Sequence, residues 1–123
     1  MSTPSRQQYV TVEHTDKGVA IVTFGTLTQL QEEQKIASIG ERLMDLVVRD
    51  GVRQMLIDFA QIRHMSSVFL GRLIILHKRL TLQFKGTLIL AALAVQILEV
   101  FQITRLDVFF KIAKDRDAAL AMF

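Results

Sequence analysis

Met55-Leu-Ile-Asp-Phe-Ala-Gln-Ile-Arg-His-Met-Ser-Ser-Val-Phe-Leu-Gly71 joins an apolar strand, through a short loop, to two serines that open a helix. Free backbone N–H groups and the positive end of the helix dipole gather at such a start. It can therefore hold a hydroxyl, or a phosphate attached to one, without disturbing the fold. Ser66 and Ser67 are the first candidate site on this reading. The plainer reading is that serine is a favoured N-cap and one of the pair only satisfies a helix N–H; Ser66 is the better placed for that task.

Upstream of this stretch, residues 9–14 alternate apolar and polar like a half-buried strand, and Asp16-Lys-Gly18 supplies a turn before a second strand over residues 19–24. The two read as an antiparallel hairpin. Thr28 with Gln31 three positions on fits a capping box, and Ile36, Ile39, Leu43, Leu46 and Val47 follow at helical spacing until Asp50-Gly51 ends the helix. A third strand, residues 54–59, precedes the serines. The helix they open runs over residues 67–83 and stops near Lys85-Gly86. Residues 87–91 form a continuous apolar run, the pattern of a strand covered on both faces. A helix over 94–103, a strand over 109–112 and a terminal helix over 115–122 complete the order. Alternating strands and helices after a hairpin predict one α/β domain over residues 9–123, with a mixed, largely parallel sheet of about five strands and about four helices. Residues 1–8 read as a flexible polar tail.

Composition narrows the function. A chain of 123 residues, half of them hydrophobic, can bury one core. The longest apolar run, Leu88 to Val95, is well short of the roughly 20 residues that span a membrane. The opening residues lack the apolar core of a signal peptide, and a cytoplasmic location is expected. Cysteine is absent, which excludes disulfides, zinc-thiolate sites and thiol catalysis. The net charge of +3 is spread over dispersed Lys and Arg, without the basic stripe or motif that nucleic-acid binding needs.

Other chemistry can be weighed from residue types. Ser67, His64 and Asp58 have the composition of a hydrolytic triad, but Met65 and Phe69 stand where a nucleophile elbow carries glycine. His14, His64 and His77 fall on different predicted elements without ligand spacing, so no metal site or cofactor is expected. On the second helix, Phe69, Leu73, Leu76 and Leu80 form a core stripe widened by Leu70 and Ile74, while Val68, Ile75 and Leu82 lie about a quadrant away. These three read either as part of a deeply buried helix or as a docking face rimmed by Arg72, Lys78, Arg79 and Lys85.

The stretch from Asp58 to Gly71 resembles the switch region of STAS domains of the anti-sigma-factor antagonist class, roughly Asp-Leu-Ser-x-Val-x-x-Met-Asp-Ser-Ser-Gly-Leu-Gly. It aligns without a gap, with Asp58, Ile62, Met65, Leu70 and Gly71 on like residues. Residues 97–110 and 115–120 are similar to the family's C-terminal half, so the resemblance extends from Tyr9 to Leu120. It implies that Ser67 is the phosphorylated serine, with Ser66 as the alternative, and that Met65, Ser66, Ser67, Val68, Arg72 and Ile75 meet the partner. The partner implied is an anti-sigma factor that is also a serine kinase of the histidine-kinase-type ATP fold, with a serine phosphatase to reverse the modification. ATP and magnesium would belong to the kinase, and this chain would be a non-enzymatic regulator, monomeric or weakly dimeric. The chain departs from the pattern at Ser66, where the family has an acid, at Phe69, where it has glycine, and at Gly25-Thr-Leu-Thr28, where Gly-x-Leu-Asp is usual. Two carboxylates near the switch serine are thus missing. That keeps a second reading open, an unphosphorylated scaffold or accessory subunit of a signalling or transporter complex.

Overall fold

The β-rich, turn-punctuated first third of the chain forms the hairpin its pattern predicts. In the computed structural model, which describes residues 9–123, β1 (Thr11–His14) pairs antiparallel with β2 (Val19–Thr23) around a turn at Gly18. The predicted tail, residues 1–8, lies outside the described residues. A two-residue strand, β3 (Gln29–Leu30), then leads into α1 (Glu33–Val48). The capping box predicted at Thr28 and Gln31 does not form: Glu32 is the N-cap, without a side-chain bond, because Gln29 and Leu30 are drawn into strand pairing. The helical apolar positions Ile36, Ile39, Leu43, Leu46 and Val47 are all buried. Gly51, at φ 74°, takes the left-handed conformation that turns the chain after the helix.

Next come β4 (Gln54–Asp58), a second two-residue strand β5 (His64–Met65), and α2 (Ser67–Lys78), which widens into a π-helical turn over Arg79–Gln83. β6 (Thr87–Ala91) and α3 (Val95–Ile103) follow as predicted. The predicted strand over 109–112 is shifted. A short α4 (Leu106–Phe109) occupies its start, after Arg105 has turned the chain at φ 65°, and β7 is Lys111–Ala113. Asp115 caps α5 (Arg116–Leu120) by accepting a hydrogen bond from the Ala118 N–H at 2.8 Å.

The main sheet has five strands in the order β1-β2-β4-β6-β7, and every pairing after the hairpin is parallel. One face carries the larger core, with Val22, Phe24, Met55, Ile57, Phe59, Leu88 and Leu90 under α1, α2 and α3. The other face is thinner: Val19, Ile21, Leu56, Ile89 and Ala91 lie under α5 through Ala119. Strands β4 and β6 are therefore apolar on both faces, which is why they read as continuous hydrophobic runs. Outside the sheet, β3 and β5 pair in parallel, Gln29 with His64 and Leu30 with Met65.

Candidate functional site

The site is built where three connections converge at the C-terminal ends of the strands. β4 ends on Asp58, whose Oδ1 accepts the Ala60 N–H at 2.9 Å and so turns the chain. Gln61 then donates through Nε2 to the carbonyls of Gly25 and Leu27, the latter at 2.7 Å. Arg63 N donates to Thr28 O at 2.6 Å, and Ser66 N to Leu30 O at 2.9 Å. The loop after β2 thus clamps the loop before α2 along its whole length. Neither two-residue strand has enough alternation to be read from sequence, yet together they fix where α2 begins.

At that beginning the two serines separate in role. Ser66 sits at the N-cap with extended backbone (φ −81°, ψ 161°), and its Oγ accepts the Phe69 N–H at 3.3 Å. Ser67 is the first helical residue, is exposed, and among the described residues its hydroxyl has no hydrogen-bond partner. Phe69, which replaces the glycine of the family pattern, points the opposite way. It is 1% exposed and packs edge-on against Phe24 and Phe59, at ring-centroid distances of 6.3 and 6.4 Å. An aromatic is tolerated there because that helix position faces the sheet, not the serine.

Beside Ser67 lies a groove of about 260 Å³. Met65, Leu70, Ile97, Val100 and Phe101 give it an apolar lining, while Arg63, His64, Ser66, Ser67 and Gln96 stand at its polar parts. Gln96 donates to Arg63 O at 2.9 Å and so ties α3 to the loop before α2. Sequence reading placed Met65 and the serines here but missed α3 as the opposite wall. The signal available was the apolar excess of that helix: Val95, Val100 and Ile103 remain exposed, Ile103 at 82%.

Of the other predicted contact residues, Val68 and Ile75 are exposed on the outer side of α2, at 50% and 59%, and Leu82 in the π-helical turn is exposed as well. The deeply buried alternative for these three is therefore incorrect; the helix turns them away from the sheet. Arg72 is exposed, and its side chain lies across α1 so closely that a Cβ on Gly40 would stand 2.6 Å from its Cδ. A hydrolytic triad does not assemble. Asp58 is engaged by Arg116 of α5, Nε to Oδ2 at 3.0 Å, and neither His64 nor Ser67 bonds to it among the described residues. His14, His64 and His77 lie on β1, β5 and α2, and no cluster of possible metal ligands occurs among the described residues.

His77 has a role in packing. Its ring lies 4.7 Å from that of Phe109 and 5.0 Å from that of Phe110, joining α2 to the end of α4 just before β7. Burial, with Lys111 adding to it, holds the imidazole pKa below its usual 6.5.

Residues 32–119 match the model of the STAS domain family. The chain belongs to that family. Solved STAS-like structures share the architecture over almost the whole chain. A STAS-domain anti-sigma-factor antagonist from Planctomyces limnophilus superposes with a TM-score of 0.79 at 24% identity, covering 92% of this chain and 97% of that one. An anti-sigma factor antagonist from Mycobacterium paratuberculosis gives 0.77 at 22% identity, covering 99% and 97%. The Bacillus cell fate determinant SpoIIAA in its phosphorylated form gives 0.71 at 16% identity, covering 93% and 99%. No curated protein matches the chain. This STAS domain therefore has the fold of anti-sigma factor antagonists, and among the described residues no helix is long and apolar enough to cross a membrane.

Proposed function

We propose that this STAS domain is a non-enzymatic anti-sigma factor antagonist, which binds an anti-sigma factor with serine-kinase activity and is released when Ser67 is phosphorylated. The observation that carries the proposal is the division between the two serines. Ser66 is committed to the cap, and Ser67 leaves a free hydroxyl at the mouth of an apolar groove. A phosphate there would add about −1.5 to −2 charges next to the positive end of the α2 dipole, which favours it by roughly 0.3 to 1 kcal/mol. The domain stays folded. Against a closely packed partner the same charge must be desolvated, and a loss of about 1.4 kcal/mol already weakens binding tenfold. Modification therefore acts on association. Met65, Ser66, Ser67, Val68, Arg72 and Ile75 form the contact surface in this reading, and the setting is cytoplasmic.

The test is incubation with the serine kinase of the same organism and ATP, with mass spectrometry of the peptide holding both serines and binding assays on variants. Ser67→Ala is expected to bind constitutively, and Ser67→Asp to keep its fold and lose at least about tenfold in affinity. Ser66→Asp restores the acid of the family pattern and should affect binding less. If Ser67 stays unmodified and the Asp variant binds like the wild type, the switch is lost. The unphosphorylated scaffold then becomes the better reading, favoured by the missing carboxylates at Ser66 and Thr28.

A further inference from the structure

We propose that the outer side of α2 is a seam that receives one acidic amphipathic helix of the partner protein, laid along it from Val68 towards Leu82. The inference rests on the antagonist reading and names the partner's chemistry. Val68, Ile75 and Leu82 are 50%, 59% and 70% exposed; Val68 and Ile75 stand seven residues apart on α2, the spacing at which one helix offers a ridge to another, and Leu82 follows in the π-helical turn. Cations stand beside them: Arg72, which lies across α1 at Gly40, and then Lys78 and Arg79 at the junction of α2 with the π-helical turn.

The charge pattern is one-sided. Between Asp58 and Glu99 the chain has no Asp or Glu and five Lys or Arg. Elsewhere, Lys35, Arg42, Arg49 and Arg116 are paired with carboxylates among the described residues. None of those pairs reaches α2. Arg79 is half-buried and has no carboxylate partner among the described residues. An apolar ridge beside unneutralised cations is complementary to a helix with an apolar stripe flanked by Glu or Asp.

The same pattern argues against other occupants. A second copy pairing symmetrically through this seam would set like charges against one another. A membrane surface calls for a broad apolar helix face, and the broad face of α2, with Phe69, Leu73, Leu76 and Leu80, is turned to the sheet.

Two synthetic helical peptides of about three heptads, with the same leucine stripe but flanked by Glu in one and Lys in the other, provide the probe. Binding is followed by anisotropy, and its location by amide shifts of α2. The Glu peptide is expected to bind at least about tenfold more tightly, to weaken with salt, and to lose its advantage with Ile75→Ser. Arg72→Glu with Lys78→Glu, both exposed positions, should reverse the preference while leaving the melting curve in place. Equal binding of the two peptides, shifts away from α2, or no binding overturns the proposal. Binding to phosphatidylglycerol vesicles that disappears in the same double variant overturns it in favour of a lipid surface. The kinase assay on Ser67 is independent of the peptides. Peptide discrimination without Ser67 modification leaves the seam standing and removes the switch, and the opposite result does the reverse.

Discussion

Ser66 and Ser67 are chemically identical neighbours that the backbone makes unequal. Extended φ and ψ aim the Ser66 Oγ at the Phe69 N–H, whereas Ser67 is already helical and points its hydroxyl to solvent. Ser66→Ala should therefore lower stability by about 0.5 to 2 kcal/mol, towards the lower end because the bond is long at 3.3 Å. Ser67→Ala should stay within about 0.5 kcal/mol of the wild type in the same denaturant titration. His77 adds a pH dependence. Its folded pKa lies below its ordinary 6.5, so at higher pH both the folded and unfolded chains carry it neutral and its packing contribution is complete. As pH falls through 6.5 the unfolded chain takes up a proton first, and stability is progressively lost until the folded imidazole is protonated too. Thermal melts from pH 8 to pH 5 should show this slope, and His77→Phe should flatten it.

Helix α2 has to satisfy several neighbours at once, and each side of it has a different task. Phe69, Leu73, Leu76 and Leu80 meet the sheet, Leu70 borders the groove shared with α3, and Val68 and Ile75 meet solvent. Val68→Ser should consequently change stability little, within about 0.5 kcal/mol, while weakening partner binding. Arg72 combines both roles: its exposed side chain covers Gly40, so Arg72→Glu tests binding and Gly40→Ala tests whether that side chain can move aside. The end of the helix is more tightly constrained. A Cβ at Gly86 would stand 2.4 Å from the Arg53 carbonyl oxygen and 2.5 Å from Leu80 Cδ1. Backbone cannot yield there as a long side chain can, and Gly86→Ala is expected to cost about 1 to 3 kcal/mol in chemical denaturation.

Across the domain, the larger core lies on the face where three helices cover the sheet, and it includes the mutually packed rings of Phe24, Phe59 and Phe69 close to the start of α2. Phe69→Ala should cost about 3 to 5 kcal/mol and loosen the start of α2 along with the core, measurable as a lower melting temperature and faster amide exchange at Ser67 and Val68. The alternation of residues 9–24, the spacing of Ile36 through Val47 and the apolar run at residues 87–91 were enough to foretell a hairpin followed by α/β units. Those patterns record burial on one face or two, and burial is what periodicity reports. The Ser-Ser start of α2 and the cap at Ser66 were legible for the same local reason, since a helix end has donors that its own sequence must satisfy. β3, β5 and α4 were not legible. Two-residue strands and a four-residue helix have no period, and they exist because Arg63 and Ser66 donate to the carbonyls of Thr28 and Leu30 across the loop, and because Arg105 turns left-handed. The same holds for the groove beside Ser67, whose second wall comes from α3 some 30 residues further on, and for the choice between buried helix and exposed seam at Val68, Ile75 and Leu82. An apolar residue looks the same in sequence whether or not something covers it. Only the packing of α1 and α3 on either side of α2 decided which of its side chains were left facing outward.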